Sequence, residues 1–324
     1  MELRKVQVTG GGTYIISLPK KWAKRHKLGK GDSLRVEERN MGIFLSPKKE
    51  KVKKSAVMTL TDNVRQEITA EYMCGYDTVR VTSEKDIDHK YRKKIKEALK
   101  SLSGYEIVDE RPREIVISNL LDPSELPTKK AMRRQFFVMN SMQKDFLESF
   151  LNNDPTLAED VVQRDSEVDK LYFLIVRQLR TAVIDTNFAE KIDVTPLDCL
   201  DLRIVTKNIE QAADNVEENC INFEEIDYSS LNPVIFEYME KMSNLLIIIF
   251  QGSQHALEKK DYKRAENVLT MKNDLKRMKK KLDESILKLK TKDSIYMGNI
   301  VENMAKIGQL GIDIADIVIR PEEY

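Results

Sequence analysis

Apolar and polar positions repeat with two different periods along this chain. Near the N-terminus the period is two. Lys5–Thr9 (KVQVT) alternates, Gly10-Gly11-Gly12 turns, and Thr13–Leu18 (TYIISL) is β-branched and apolar. Pro19 opens a short helix, KKWAKRHKL, as prolines do in a first helical turn. Gly29 and Gly31-Asp32 break it, SLRVEER returns as strand, Asn40-Met41-Gly42 turns, and IFLSP completes the pattern. A β-β-α-β-β unit over residues 1–48 is too small to bury a robust core alone. It predicts a partner, and an intertwined homodimer would supply one.

KEKVKK (residues 49–54) reads as a charged linker. Over 55–122 the elements alternate in type. SAVMTL is a strand, Asp62 is placed to cap a helix running to Cys74, and Gly75 ends it. DTVRVT is a strand, KDIDHKYRKKIKEALKSLS a helix stopped by Gly104, and YEIVDER and EIVIS are two more strands. This predicts a small α+β domain. It holds no phosphate loop, nucleophile elbow or metal-ligand spacing, and His89 reads as plain surface.

NLLDPSELPT, with two prolines, marks a boundary, and beyond it the period is helical. Helices are predicted near 128–151, 156–186, 197–222, 231–260, 262–292 and 295–319. Breaks fall at Asn152-Asn153-Asp154-Pro155, Thr195-Pro196, Asn232-Pro233, Asp261 and Asp293-Ser294. The region repeats itself at a shift of 107 residues, which lays Asp154 on Asp261, Ala158 on Ala265 and Val161 on Val268. The third helices also match, EQAADNVEEN against AKIGQLGIDIAD. Two three-helix units, 128–228 and 231–320, follow. The predicted architecture is multidomain and mainly α: a β head, a small α+β domain and two tandem three-helix bundles.

Within the first unit, Asn208–Asn219 (NIEQAADNVEEN) sets Glu210 and Asp214 four residues apart on one helix face. They border an apolar stripe of Ile209, Ala213, Val216 and Cys220. RDSEVDKLY repeats the device with Asp165 and Asp169. If the two helices pack antiparallel, four carboxylates converge, and they repel unless protons or a cation neutralise them. Oxygen ligands favour hard cations such as magnesium, calcium or manganese, and carboxylate-bound iron is compatible. Two solvated helix faces would show the same spacing.

Charge adds a second division. Residues 1–54 hold 15 Lys/Arg and 5 Asp/Glu, a net of +10, which leaves 39 basic and 48 acidic residues and a net of −9 in 55–324. A basic head on an acidic body points to two jobs, one of them nucleic-acid binding. The longest apolar run, Leu245–Phe250, is far short of the ~20 residues a membrane helix needs, so no membrane insertion is expected. The N-terminus lacks a signal-peptide stretch, and Cys74, Cys199 and Cys220 are spaced for neither a disulfide framework nor a zinc site. The expected location is the cytoplasm.

The head resembles the SpoVT/AbrB swapped-hairpin family of DNA-binding domains, through YIISLPKKWAKRHKLGKGDSLRVE within Arg4–Pro47. In that family two chains exchange hairpins and present basic residues to DNA. The resemblance implies DNA contacts by Arg4, Lys5, Lys20, Lys21, Lys24 and Arg25, although the family's arginine pattern is not reproduced. Trp22 reads as core and His26 as surface. The helical half resembles the PhoU family of phosphate-signalling regulators from about Ala131 to Val318, through RDSEVDKLYFLIVRQL, IEQAADNVEEN and VENMAKIGQLGIDIADIVI. PhoU proteins are associated with control of high-affinity phosphate uptake through the transporter and its partners. Several are implied to bind metal through E/D-x-x-x-D motifs. The resemblance implies a metal site of Asp165, Asp169, Glu210 and Asp214, with iron, manganese, zinc or magnesium as the ion. The second unit has Lys272, Lys276, Ala305 and Gln309 at the matching positions, so any such site belongs to the first unit alone.

No nucleophile–base arrangement is present, and the Glu-x-x-His pairs of di-iron oxidases are missing, so an enzyme is not expected. The leading reading is a DNA-binding, phosphate-responsive regulator. The alternative is an adaptor whose head only dimerises and whose body docks on the phosphate transporter ATPase.

Overall fold

The structure, a computed structural model, describes residues 3–39, 42–47 and 53–318. The chain divides into two compact units, Met1–Lys53 and Lys54–Tyr324.

In the first unit, β1 (Gln7–Thr9) pairs antiparallel with β2 (Thr13–Ile15), setting Val8 opposite Tyr14. The turn between them uses Gly11 and Gly12 at φ +80° and +98°, a region that glycine enters without steric cost. Helix α1 (Lys20–Arg25) starts after Pro19. β3 (Leu34–Arg39) pairs with β4 (Gly42–Pro47). The predicted turn residues Asn40 and Met41, and most of the predicted linker, lie outside the described residues. The two hairpins form separate two-stranded sheets. No described residue of this unit is buried. Val6, Val8, Tyr14, Ile16, Val36 and Ile43 are all more than half exposed. Isolated two-stranded hairpins are marginal in water, and the apolar residues of these two are uncovered.

The second unit begins with β5 (Ser55–Thr59), α2 (Val64–Met73), β6 (Thr78–Thr82), α3 (His89–Lys100), β7 (Tyr105–Arg111) and β8 (Glu114–Asn119). The strands form one sheet in the order β5-β6-β8-β7, with β5 and β6 parallel and the other pairs antiparallel. Val79, Val81, Ile115 and Ile117 point from the sheet onto Val64, Ile68, Tyr72 and Ile95 of the helices. Asp62 does not cap α2. Asn63 holds the N-cap position without a side-chain bond, because the Asp62 carboxylate accepts instead from the Tyr91 hydroxyl at 2.8 Å.

The helices that follow are α4 (Thr128–Asn152), α5 (Pro155–Ile184), α6 (Thr186–Lys191), α7 (Pro196–Glu224), α8 (Pro233–Lys259), α9 (Tyr262–Thr270), α10 (Lys272–Ile286) and α11 (Thr291–Asp316). Three details differ from the sequence pattern. The short α6 is added where Asp185 accepts from the Asn187 and Phe188 amides. The single helix expected over 262–292 is interrupted at Met271, dividing α9 from α10. Asp293 lies inside the first turn of α11, buried and accepting from the Asp227 amide at 3.0 Å, and does not break a helix.

The internal repeat is visible in the caps. Asp154 accepts from the Thr156 and Leu157 amides, and Asp261, its counterpart, accepts from the Arg264 amide. The residues before them, Asn153 and Lys260, take left-handed φ values of +51° and +52°. Ala158, Val161, Ala265 and Val268 are all buried in one continuous core that runs through both repeats. Helix α4 packs on α8, and α7 on α11. Close approach at Gly311 fixes the α8–α11 contact: an added Cβ would lie 2.6 Å from Ile249 Cγ2, and the Ser253 hydroxyl donates to the Gly311 carbonyl at 2.7 Å.

Candidate metal centre and basic head surface

The acidic pairs are carried by α5 and α7, which pack against each other. The apolar stripe predicted beside them is buried: Ile209, Ala213, Val216 and Cys220 are all fully enclosed. That burial turns the bordering carboxylates toward the neighbouring helix. Asp165, Asp169 and Asp214 each offer an oxygen, and these oxygens lie within 4.8 Å of one another. Among the described residues this is the one such group of His, Cys, Asp and Glu donors. Asp165 and Asp169 are half-buried and Asp214 is exposed. Asp165 Oδ1 is buried without a hydrogen-bond partner.

Glu210 behaves differently from its three predicted companions. It is buried, and its carboxylate forms an ion pair with Lys207 one turn earlier. Lys207 was not anticipated from the spacing of the acidic motif. Neither was Glu217, one turn beyond Asp214, whose charge is the largest electrostatic contribution raising the Asp165 pKa. The signal was present in the heptad-like spacing of Lys207, Glu210, Asp214 and Glu217 along one face.

The electrostatics record the crowding. Burial, then the charges of Glu217, Asp169, Asp214 and Glu210, push Asp165 up to about 8. Burial and Glu210 push Asp214 up to about 7, against the opposing charge of Lys207. Asp169 and Glu217 are also raised, each chiefly by burial. Exposed at one edge, the cluster borders a groove between α7 and α11 lined by Gln211, Asp214, Asn215, Glu218, Lys306 and Gln309. Small ions therefore have a path from solvent.

In the second repeat the matching positions assemble nothing comparable. Lys272 and Lys276 are exposed on α10, and Gln309 donates to Asp313 at 2.6 Å.

In the head, Arg4, Pro19, Lys20, Lys21 and Lys24 line one shallow concavity at the start of α1. Arg4 is half-buried and its Nη1 donates to Ser17 Oγ at 3.2 Å. Lys5 and Arg25 are exposed outside this lining. Trp22 is only half-buried and lies against His26, with ring centroids 4.9 Å apart, so it is not a core residue of the single chain.

Comparison with known proteins agrees with this division. Residues 133–220 match the PhoU domain family, a span that contains all four predicted carboxylate ligands. Residues 7–53 match the family described as antidote-toxin recognition MazE, bacterial antitoxin. No curated protein matches the chain in sequence. Among solved structures, PhoU from Pseudomonas aeruginosa is similar at 12% identity and a TM-score of 0.52, over 59% of this chain and 93% of that one. The phosphate transport system regulatory protein PhoU from Streptococcus pneumoniae is similar at 10% identity and a TM-score of 0.51, over 59% and 91%. At such identities the likeness establishes the fold. Residues 133–220 are thus similar to the PhoU domain within a helical body of PhoU-like fold, and the N-terminal residues are similar to the MazE antitoxin family.

Proposed function

We propose that this chain is a phosphate-responsive regulator whose head binds duplex DNA as a homodimer and whose helical body holds a cation. The observation carrying the DNA reading is the convergence of Arg4, Lys20, Lys21 and Lys24 on one concavity, in a unit with no buried residue among those described. Cations so placed neutralise phosphates and position a duplex, with little base information of their own. Strands left as two separate hairpins invite completion by a second copy.

Support for the cation comes from the donor set. Three carboxylate oxygens converge, one buried oxygen of Asp165 lacks a partner, and every donor is hard oxygen, which suits magnesium, manganese or iron better than a soft-ligand metal. Asp165, Asp169 and Asp214 would hold the ion. A bound cation supplies positive charge that offsets their repulsion and ties α5 to α7. Glu210 is engaged by Lys207 and stands behind the cluster. The response to phosphate rests on the PhoU domain and the PhoU-like fold.

The test is binding of the full-length protein to duplex DNA across a salt series, followed by fluorescence anisotropy. Affinity should fall steeply and linearly in log–log form with salt. Absence of binding even at low salt would leave the head as a dimerisation device and favour the adaptor that docks on a transporter ATPase.

A further inference from the structure

One face of α7 carries Arg203, Lys207, Glu210, Asp214 and Glu217, at successive steps of four, three, four and three residues. At 100° per residue they fall within about 80° of arc, so they form a single stripe. Helix α5 runs beside it in the opposite direction. Asp165 and Asp169 meet Asp214 at one end, and Tyr172 meets Arg203 at the other, where Arg203 Nη2 donates to the Tyr172 hydroxyl at 3.0 Å. The seam between the packed helices α5 and α7 therefore passes from cationic and aromatic to acidic between residues 203 and 214, a distance of about 16 Å at the helical rise.

The cationic end is organised by one ring. The Arg203 guanidinium and the Lys207 ammonium both lie 5.3 Å from the Tyr172 ring centroid. Tyr172 is buried, while Arg203 and Lys207 are half-buried. Lys207 is pinned by Glu210, whereas the hydrogen bond of Arg203 goes to a neutral hydroxyl and leaves its charge uncompensated by that contact. Arg65 of α2, a helix that packs on α5, adds positive charge that acts on Asp169. A fixed guanidinium, an ammonium and a phenolic hydroxyl make a donor set suited to a small tetrahedral oxyanion.

We propose that the Arg203–Lys207–Tyr172 end of the α5/α7 seam is a subsite for an oxyanion of the phosphate class, bound beside a cation on Asp165, Asp169 and Asp214. The inference deepens the metal reading above and rests on it. Without the cation, the carboxylate cluster repels an incoming anion. A divalent ion offsets most of that repulsion by cancelling two of the three carboxylate charges. The two ligands must therefore favour each other by the same factor, since coupling between sites is reciprocal.

The test is isothermal titration calorimetry on the full-length, chelator-treated protein, with inorganic phosphate and Mn(II) each titrated alone and in the presence of the other. Mn(II) should tighten phosphate binding by about 5-fold or more, with phosphate tightening Mn(II) equally. Arg203→Gln should weaken phosphate binding at least tenfold and leave Mn(II) affinity without phosphate unchanged, and Arg203→Lys should recover part of the loss. Lys207→Gln serves as the second variant if Arg203→Gln fails to fold by circular dichroism. A parallel titration with glycerol 3-phosphate distinguishes a free-ion site from one that takes phosphomonoesters. Mn(II) binding without any phosphate binding overturns the subsite and leaves the metal reading standing, as does phosphate affinity indifferent to Arg203 and Lys207. Phosphate binding that depends on Arg203 in a protein that binds no Mn(II) overturns the paired site, leaving an anion site without the metal.

Discussion

Arg177 Nη1 donates to the Tyr72 carbonyl at 2.8 Å, so a helix of the PhoU-like body closes the end of a helix in the α+β layer. The same nitrogen bonds the Tyr76 carbonyl at 2.7 Å, and Nη2 reaches Asp77 Oδ1 at 3.1 Å. The guanidinium also lies over Tyr72 and Tyr105, at 4.9 and 5.6 Å from their ring centroids. Arg177 is 2% exposed. Replacing it by Met removes the charge while keeping much of the volume; Asp77 loses its ion-pair partner and keeps only the Lys54 amide on its carboxylate, while the Tyr72 and Tyr76 carbonyls keep the Gly75 amide and the Tyr105 hydroxyl. Stability should fall by about 3–5 kcal/mol, the usual cost of breaking a buried pair from one side. Urea unfolding followed by far-UV circular dichroism measures it, and a loss under 1 kcal/mol would contradict this account.

The carboxylate cluster sets a pH dependence of definite sign. Asp165 at about 8 and Asp214 at about 7 bind protons more tightly in the folded chain than in the unfolded one, where carboxylates titrate near 4. Between those values the native state holds more protons, so stability falls as pH rises from about 4 to about 8. Metal-free protein should show this decline in Tm, and Asp165→Asn should flatten it. Added Mn(II) should raise Tm at pH 8 more than at pH 5. No Mn(II)-dependent shift at any pH would remove the metal reading and leave the acidic residues as a proton-binding cluster.

DNA affinity in the head should be additive in charge. Changing Lys20, Lys21, Lys24 and Arg25 together to Ala should weaken binding on every sequence and reduce the salt slope by up to about 4. A variant that loses affinity on one sequence only would point to base readout at these positions.

Light scattering tests the assembly. With Val6, Val8, Tyr14 and Ile43 uncovered in the single chain, the full-length protein should be at least a dimer at micromolar concentration. A monodisperse monomer would rule this out.

Two glycines of α11 should respond oppositely to alanine. At Gly311 a new methyl would approach Ile249 and Phe250 at 2.6 and 2.9 Å. Overpacking costs about 1–3 kcal/mol, which exceeds the roughly 1 kcal/mol gained in helix propensity. At Gly298 nothing lies within 4 Å of the added Cβ, so Gly298→Ala should stabilise by up to about 1 kcal/mol. Thermal denaturation of the two variants side by side decides it.

Periodicity made most of the helical body legible, because α4, α5, α7, α8 and α11 each bury a long stripe and begin or end on strong turn signals. What it missed depends on contacts distant in sequence. Asp293 looks like a helix breaker until the Asp227 amide is seen to use it. Asp62 looks like a cap until Tyr91, 29 residues on, takes its carboxylate. At the acidic site the i, i+4 spacing marked Asp165, Asp169 and Asp214 but could not show that Glu210 turns back to Lys207. Spacing assigns a face, and the choice between partners on that face is made by packing.

The register of α5 has a mechanical consequence. Asp169 sits among the acidic residues, Phe173 packs into the core of the α+β layer, and Arg177 is locked to Tyr72, Tyr76 and Asp77. All three ride on one uninterrupted helix, with about 12 Å between the first and the last. An α-helix of that length transmits axial and rotational displacement with little internal give. Any ligand that repositions α5 at the carboxylates must therefore drag or shear the tyrosine socket, which makes the helix a lever whose far arm is the α+β layer.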